Sequence, residues 1–249
     1  MFDLTGHVAL VTGGGQNVGA GIAQALAARG ATVAVNDFHA DRAERIARQI
    51  QDAGGLAIAT PFDVTDLDAV EAGFDTVSNR VGPVDILVNN AGTGGPTTPL
   101  QVAKFADMAP EQWRPVVAVN LFGPMNCAKT AIGSMIDRGW GRVITISSGA
   151  GEIGMDLGVS HYGAAKAGAI GFMRHLAIEN AGHGITANTI SLGLVLDDPG
   201  IVEALANTIP VKRMGTPADV GALAVYLASA EASWITGQTI GLNGGSLTS

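Results

Sequence analysis

Two side chains that could transfer a proton, Tyr162 and Lys166, stand four positions apart. This separation places both on one face of the helix predicted over His161–Ala181. A free phenol has a pKa of about 10, and a neighbouring ammonium favours the phenolate. The pair therefore predicts a tyrosine with a lowered pKa that acts as a general acid or base.

A glycine-rich turn joins the first predicted strand to the helix that follows it. Backbone N–H groups in such a turn can approach a phosphate closely, and the positive end of the helix dipole favours the anion. The turn therefore predicts nucleotide binding, although an ordinary tight turn can have the same composition. The candidate residues are Gly13, Gly15, Gln16, Asn17, Val18 and Gly19.

The second predicted strand ends in a carboxylate, Asp37, about 20 residues after this turn. An acidic residue there can accept hydrogen bonds from the adenosine ribose hydroxyls and would repel a 2′-phosphate. Asp37, followed by Phe38, thus favours NAD over NADP, unless it only caps the next helix or is solvated. Arg42, one helical turn further on, could soften that preference. Two candidates for contacting the adenine follow the third strand, Asp63 and Val64.

These residues must be positioned by an alternation of short apolar runs and longer helical patterns. The runs are rich in Val and Ile, as strands buried on both faces should be. The predicted strands are His7–Thr12, Thr32–Asp37, Leu56–Thr60, Asp85–Asn89, Arg142–Ser147, Thr186–Ser191 and Gln238–Leu242. The predicted helices are Gly19–Arg29, Asp41–Ala53, Leu67–Val81, Glu111–Asp137, His161–Ala181 and Pro217–Ala228.

The alternation predicts an α/β fold with one doubly wound Rossmann domain, a seven-stranded parallel sheet and helices on both faces. Its ligand should lie beyond the carboxyl ends of the strands. The domain would span residues 1–249, with a dinucleotide-binding half at about 1–150 and a catalytic and substrate-loop half at about 151–249.

Composition excludes several classes of protein. Of the 249 residues, 47% are hydrophobic and 14% charged, which argues against long disordered regions. The formal charge of −8 argues against nucleic-acid binding. The single cysteine excludes an internal disulfide, and no cluster of His, Cys and acidic residues has metal-site spacing, so we predict no catalytic metal. With neither a membrane span nor a signal peptide recognisable, we expect a cytoplasmic protein.

Several motifs resemble those of the short-chain dehydrogenase/reductase family, in order and over essentially the whole chain. The segment from Thr12 to Gly19 is similar to TGxxxGxG, Asn89 to Gly92 to NNAG, and Tyr162 to Lys166 to YxxxK. Further matches are Asn120 in its helix, Ser147-Ser148 after the fifth strand, Arg213, and the segment Ile235–Gly245. Each motif is modest alone, but their order and spacing together are specific.

The resemblance implies hydride transfer between a nicotinamide and a carbonyl or carbinol carbon, with Tyr162 as general acid/base. Lys166 would also hold the nicotinamide ribose, and Asn120 would anchor a water beside Lys166 in a proton relay. Ser148 would orient the substrate oxygen, with Ser147 as the alternative. The remaining cofactor contacts implied are Asn90, Ala91, Gly92, Gly193 and Val195.

Three departures from the family pattern bear on cofactor contacts. Asn17 replaces a glycine of the first turn, and asparagine tolerates a left-handed backbone better than most residues. Leu192 stands where proline is usual after the sixth strand, and Asp197 where a threonine commonly contacts the carboxamide. We therefore expect altered contacts with the nicotinamide carboxamide near Leu192 and Asp197.

The substrate pocket should form from loops after the fourth, fifth and sixth strands. Their apolar side chains suggest a largely apolar secondary alcohol or ketone, although some of them could simply pack under the loops. The main candidates are Ile153, Met155 and Leu194, and further apolar residues are Leu100, Leu157, Val159, Leu196 and Ile201. His161 could touch substrate, but capping the helix or facing its surface is the stronger expectation.

Two other functions stay open at this point. One is a 3-oxoacyl-thioester reductase, in which Arg213 or another basic surface would receive a carrier's phosphopantetheine arm. The other is a nucleotide-sensing protein that keeps the fold without turnover. Small residues on the helices Glu111–Asp137 and His161–Ala181, together with the family resemblance, predict a homotetramer.

Overall fold

The computed structural model describes residues 1–93, 99–195 and 205–248. Seven parallel strands form one sheet in the order β3-β2-β1-β4-β5-β6-β7. The strands are β1 Val8–Val11, β2 Thr32–Val35, β3 Leu56–Ala59, β4 Ile86–Asn89, β5 Gly141–Ser148, β6 Ile185–Leu192 and β7 Thr239–Leu242. The strand order reverses between β1 and β4, which is where a doubly wound sheet opens a crevice for a ligand.

Helices cover both faces of the sheet. In the described part of the chain they are α1 Asn17–Ala27, α2 Ala40–Asp52, α3 Leu67–Val81, α4 Pro110–Val117, α5 Gly123–Arg138, α6 Ser160–Asn180 and α7 Pro217–Ala228. The side chains of β1 alternate between two cores: Val11 belongs to the core that includes Ile22 of α1, and Leu10 to the core that includes Phe74 of α3. The predicted doubly wound Rossmann fold is thereby confirmed.

The long helix predicted over Glu111–Asp137 is interrupted by a π-helical turn, Ala118–Phe122. Pro124 has no N–H to donate to the carbonyl of Asn120, so the regular α-helical bond cannot form there. The Gly123 N–H instead reaches back to the carbonyl of Ala118. Such turns often occur at functional sites, and this one carries Asn120.

The strand ends bring the candidate residues together. β5 and β6 extend to Ser148 and Leu192, which are register partners. The carboxyl ends of β1, β2 and β4 lie beside them in the same sheet. Among the described residues no helix is long and apolar enough to cross a membrane.

Candidate active site

A cavity of about 470 Å³ lies at the carboxyl edge of the sheet. Most of the residues that the sequence suggests for cofactor binding or catalysis line it: Gly13, Gln16, Asn17, Val18, Gly19, Asp37, Phe38, Asp63, Val64, Asn90, Ala91, Gly92, Ser148, Tyr162, Lys166, Gly193 and Val195. Gly15, Asn120, Ile153, Met155 and Leu194 are not among its lining residues. The cavity therefore joins the glycine turn at one end to the tyrosine and lysine at the other.

The glycine turn leaves no room for side chains. Gly13 has a φ of +60°, and a Cβ there would lie 2.9 Å from the Cα of Ala91. A Cβ on Gly19 would overlap the carbonyl oxygen of Gly13. Asn17 has a φ of +45°, the left-handed backbone expected where it replaces glycine. Gly13 and Gly19 line the cavity, and backbone N–H groups in such a turn can hold a pyrophosphate.

Hydrogen bonds from the end of β4 fix the turn. The Asn90 side-chain amide donates to the carbonyls of Thr12 and Gly13, both at 3.0 Å. The Thr12 hydroxyl accepts from the N–H groups of Asn90 at 3.0 Å and Ala91 at 3.1 Å. The sequence analysis assigned no role to this hydroxyl. The sequence feature that could have predicted this role is that β1 and β4 both end in polar residues and are neighbours in a doubly wound sheet.

Asp37 faces the cavity but also serves the backbone around it. One carboxylate oxygen accepts from the N–H of Gly15 at 3.2 Å, and the other accepts from the N–H of His39 at 3.0 Å. His39 is the N-cap of α2, but no side-chain hydrogen bond caps this helix. Asp37 is thus a buried support of the glycine turn rather than a helix cap, and it still lines the cavity.

The adenine candidates lie in the same wall. Asp63 forms a tight turn in which one of its oxygens accepts from the N–H and the hydroxyl of Thr65, each at 2.8 Å. Phe38 is 45% exposed and borders the cavity. An apolar ring at the mouth of a cavity can cover the face of an aromatic ligand.

Tyr162 projects from the first turn of α6 toward Ser148 at the end of β5. Burial raises the pKa of the Tyr162 phenol, and a hydrogen bond with Ser148 opposes that rise. The phenol is therefore protonated at neutral pH in the protein alone, where burial outweighs any lowering by the lysine. The lowered pKa expected from Lys166 together with an oxidised, positively charged nicotinamide stays a prediction. A protonated phenol is the state that a carbonyl reduction requires.

The structure distinguishes the two candidate serines by their hydrogen bonds. The Ser147 hydroxyl is buried and donates to the carbonyl of Lys166 at 3.3 Å. The Ser148 hydroxyl accepts from the N–H of Ala150 at 3.3 Å and lies close enough to the Tyr162 phenol to oppose the rise of its pKa. Of the two, Ser148 is thus the one whose hydroxyl lies next to the phenol.

Lys166 is 5% exposed, and its ammonium donates to the carbonyl of Ile146 at 2.8 Å. Its Nζ lies 5.8 Å from the centre of the Tyr162 ring. Burial lowers the pKa of Lys166 to about 8. In the protein alone, desolvation thus raises the pKa of the Tyr162 phenol and lowers that of the Lys166 amine, and both shifts favour the neutral form of the group.

Asn120 holds the loop after β4. Its amide nitrogen donates to the carbonyls of Thr93 at 2.7 Å and Val116 at 2.8 Å, and its oxygen accepts from the Thr93 N–H at 3.1 Å. A Cβ on Gly92 would lie 2.8 Å from the Asn120 oxygen and 3.2 Å from Lys166 Nζ. The Asn120 side chain therefore positions the segment beside Lys166.

His161 is buried, although the sequence favoured a helix cap or a surface position for it. It is 4% exposed, and neither ring nitrogen has a hydrogen-bond partner in the described part of the chain. Burial lowers its pKa, so the ring is neutral at pH 7. The residue that caps α6 is Val159, without a side-chain bond. The expectation of a cap or a surface residue is therefore wrong.

The main apolar substrate candidates are exposed and do not line the cavity. Ile153 is 47% exposed, Met155 38% and Leu194 44%. Leu194 lines a separate cavity of about 170 Å³. Leu196, Asp197 and Ile201 lie outside the described residues. Where the structure describes the chain, no group of three or more His, Cys, Asp or Glu residues could hold a metal ion.

Gly19→Ala should damage the cofactor site. The new Cβ would overlap the Gly13 carbonyl oxygen and approach Asn90 Nδ2 to 2.5 Å, so the turn must shift. We expect the free energy of unfolding to fall by about 1–3 kcal/mol. NADH affinity should fall about tenfold or more, as measured by fluorescence titration. The matched control is Gly133→Ala in α5, where a Cβ meets no atom within 4 Å. It should add about 0.5–1 kcal/mol of stability and leave NADH binding unchanged.

Comparison with known proteins agrees with this geometry. A family model described as enoyl-(acyl carrier protein) reductase matches residues 13–246. The chain is 41% identical to an acetoacetyl-CoA reductase of Rhizobium meliloti, over 96% of this chain and 98% of that protein.

Two solved structures carry nicotinamide cofactors. A Brucella melitensis 3-oxoacyl-[acyl-carrier protein] reductase with bound NAD is 33% identical, with a TM-score of 0.91 over 99% of this chain and 94% of that one. A Burkholderia cenocepacia gluconate 5-dehydrogenase in complex with NADP and tartrate is 32% identical, with a TM-score of 0.89 over 98% of this chain and 96% of that one. The chain belongs to the short-chain dehydrogenase/reductase family of oxidoreductases.

Proposed function

We propose that the protein is a nicotinamide-dependent reductase of 3-oxoacyl thioesters. The observation that carries the proposal is that Ser148, Tyr162 and Lys166 line the same cavity as the glycine turn and Asp37. The substrate class is supported by the similarity to the acetoacetyl-CoA reductase and the 3-oxoacyl-carrier-protein reductase.

The side chains divide the work of a carbonyl reduction. When bound, the reduced nicotinamide supplies the hydride. The Ser148 hydroxyl donates to the substrate carbonyl oxygen and orients it, and the Tyr162 hydroxyl gives that oxygen its proton as negative charge develops. Lys166, when protonated, stabilises the resulting phenolate electrostatically. Asn120 keeps the Thr93 backbone beside this group.

NAD(H) is the cofactor we propose as preferred. Asp37 lies in the cavity wall about where adenosine ribose hydroxyls would be recognised, and its carboxylate disfavours a second phosphate. Asn17 and Gln16 line the same end of the cavity and can contact the ribose or pyrophosphate.

A largely apolar secondary alcohol or ketone is the second candidate substrate, as the sequence first suggested. The exposed Ile153, Met155 and Leu194 favour it, since exposed apolar side chains can bind apolar ligands, although none of the three lines the cavity. Arg213 does not add support for a thioester substrate, because its guanidinium is already engaged. It donates to both Asp219 oxygens, at 2.7 and 2.8 Å. A non-catalytic nucleotide-sensing protein is the least supported alternative, because the set of Ser148, Tyr162 and Lys166 is complete.

One substrate comparison tests the proposal. Acetoacetyl-CoA and an apolar cyclic ketone are each offered with NADH and with NADPH, and loss of the reduced-nicotinamide absorbance is followed. We expect kcat/KM for acetoacetyl-CoA with NADH to exceed that for the ketone by about tenfold or more. Faster reduction of the ketone would favour the second candidate, and no turnover with either would favour the nucleotide sensor. The homotetramer stays a prediction.

A further inference from the structure

The segment that follows β7, residues 243–248, turns back over the carboxyl edge of the sheet. Gly244 and Gly245 have φ values of +62° and +86°, the left-handed backbone that favours glycine. The Asn243 side chain holds the turn: its oxygen accepts from the Gly245 N–H at 2.9 Å, and its amide donates to the Leu247 carbonyl at 3.1 Å. The backbone of Leu247 is thereby fixed, and its side chain is half-buried.

Two glycines make room for this segment where it crosses the ends of β5 and β6. Gly193 follows β6 directly, and a Cβ there would lie 2.8 Å from the Cα of Asn243. Gly149 follows β5 directly, and a Cβ there would lie 2.7 Å from Leu247 Cδ1. The ends of β5 and β7 are about 10 Å apart, because β6 lies between them and neighbouring strands are about 4.8 Å apart. The turn after β7 therefore carries an apolar side chain across β6 to the end of β5.

The Leu247 side chain lies next to the residue that orients the substrate oxygen in the proposed reaction. Gly149 is the neighbour of Ser148 in the chain, and Ser148 carries that hydroxyl. The end of Met155 also approaches this point, since a Cβ on Gly149 would lie 3.3 Å from Met155 Cε. Leu247 and Met155 thus lie against the same glycine, from two distant parts of the chain. Together they form an apolar wall beside the serine, and neither lines the dinucleotide cavity.

We propose that Leu247 sets the length of the acyl group that the site accepts, because it closes the space beside Ser148 to all but short chains. This inference rests on the proposed function: a 3-oxoacyl thioester extends from its reacting carbonyl toward the thioester on one side and along the acyl chain on the other. One extra methylene in an apolar pocket can change kcat/KM by about 10–200-fold. A leucine at this place therefore favours the acetoacetyl group over longer 3-oxoacyl groups.

The test compares two substrates within each variant. In separate assays with NADH and with NADPH, kcat/KM is measured for acetoacetyl-CoA and for 3-oxooctanoyl-CoA, and the ratio of the two is taken. Partial unfolding of a variant does not change this ratio, since both substrates meet the same fraction of folded protein. The variants are Leu247→Ala, Asn243→Asp and the control Leu56→Ala, whose leucine is 64% exposed on β3 at the other edge of the sheet.

We expect the unmodified protein and Leu56→Ala to prefer acetoacetyl-CoA. Leu247→Ala should raise the relative kcat/KM for 3-oxooctanoyl-CoA about tenfold, because the smaller side chain opens the space beside Ser148. Asn243→Asp should shift the ratio in the same direction, because a carboxylate does not donate to the Leu247 carbonyl. The assignment is overturned by an unchanged ratio in Leu247→Ala, by an equal shift in Leu56→Ala, or by a preference of the unmodified protein for the longer thioester.

Failure of the proposed function gives a different result. If neither thioester is reduced, the same ratio is measured with butan-2-one and octan-2-one, which differ only in chain length. A shift toward octan-2-one in Leu247→Ala would then support the role of Leu247 although the thioester proposal has failed, and an unchanged ratio would overturn both. Turnover of none of the four substrates would also overturn both.

Discussion

Replacing Tyr162 by phenylalanine is expected to lower kcat for carbonyl reduction by about 10²–10⁴-fold, because the substrate oxygen loses its proton donor. The ring that lines the cavity is retained, so NADH affinity should change little. Steady-state rates and a fluorescence titration of NADH measure the two effects separately.

The physical reason is the protonation state of the phenol. Burial raises the pKa of Tyr162 above its usual value of 10.0, so the proton is present throughout the neutral range. Reduction should therefore not be limited by loss of the phenolic proton between pH 6 and 8. Oxidation of an alcohol needs the phenolate, and its rate should rise with pH over the same range.

The sequence contains one other tyrosine, which provides a matched control. Tyr226 lies on α7, where its ring packs edge-on against Phe2 with centroids 5.7 Å apart, and it does not line the cavity. Tyr226→Phe should keep kcat within about twofold. If Tyr162→Phe kept most of its turnover, Tyr162 would not be the proton donor.

The strands could be predicted because they are short apolar runs, and the central ones are buried on both faces. β1 and β4 are buried at every position, and the sequence identified both. The π-helical turn could not be found from apolar periodicity, since that pattern continues through it. Pro124 was the local signal: it removes a single backbone donor in the middle of an otherwise helical stretch.

The positions of the site residues could be predicted more fully than their burial and pKa values. The motif spacing brings Ser148, Tyr162 and Lys166 to one cavity. It does not determine how completely each is removed from water, which depends on the packing of α6 against β5 and the π-helical turn. For that reason the pKa of Tyr162 in the protein alone and the exposure of His161 both differ from what the sequence suggested.

Lys166→Met provides the second large effect, because it should abolish turnover and yet stabilise the protein at neutral pH. Lys166 is buried without a carboxylate partner in the described residues, and burial lowers its pKa from 10.5 to about 8. Keeping this ammonium charged in the folded state at pH 7 costs roughly 3 kcal/mol. Methionine fills a similar volume without that cost, although the bond to the Ile146 carbonyl is lost, at about 1 kcal/mol.

The stability advantage of Lys166→Met should disappear with rising pH. Between pH 8 and 10.5 the folded protein has released the Lys166 proton while the unfolded chain still binds it, so the free energy of unfolding of the original protein increases. The variant lacks this increase, and all other titrations are common to both proteins. Urea unfolding of the two proteins at pH 7 and pH 10 should therefore give a stability difference that shrinks by roughly 2–3 kcal/mol. A difference that does not depend on pH would show that the Lys166 amine titrates normally and is not desolvated beside Tyr162.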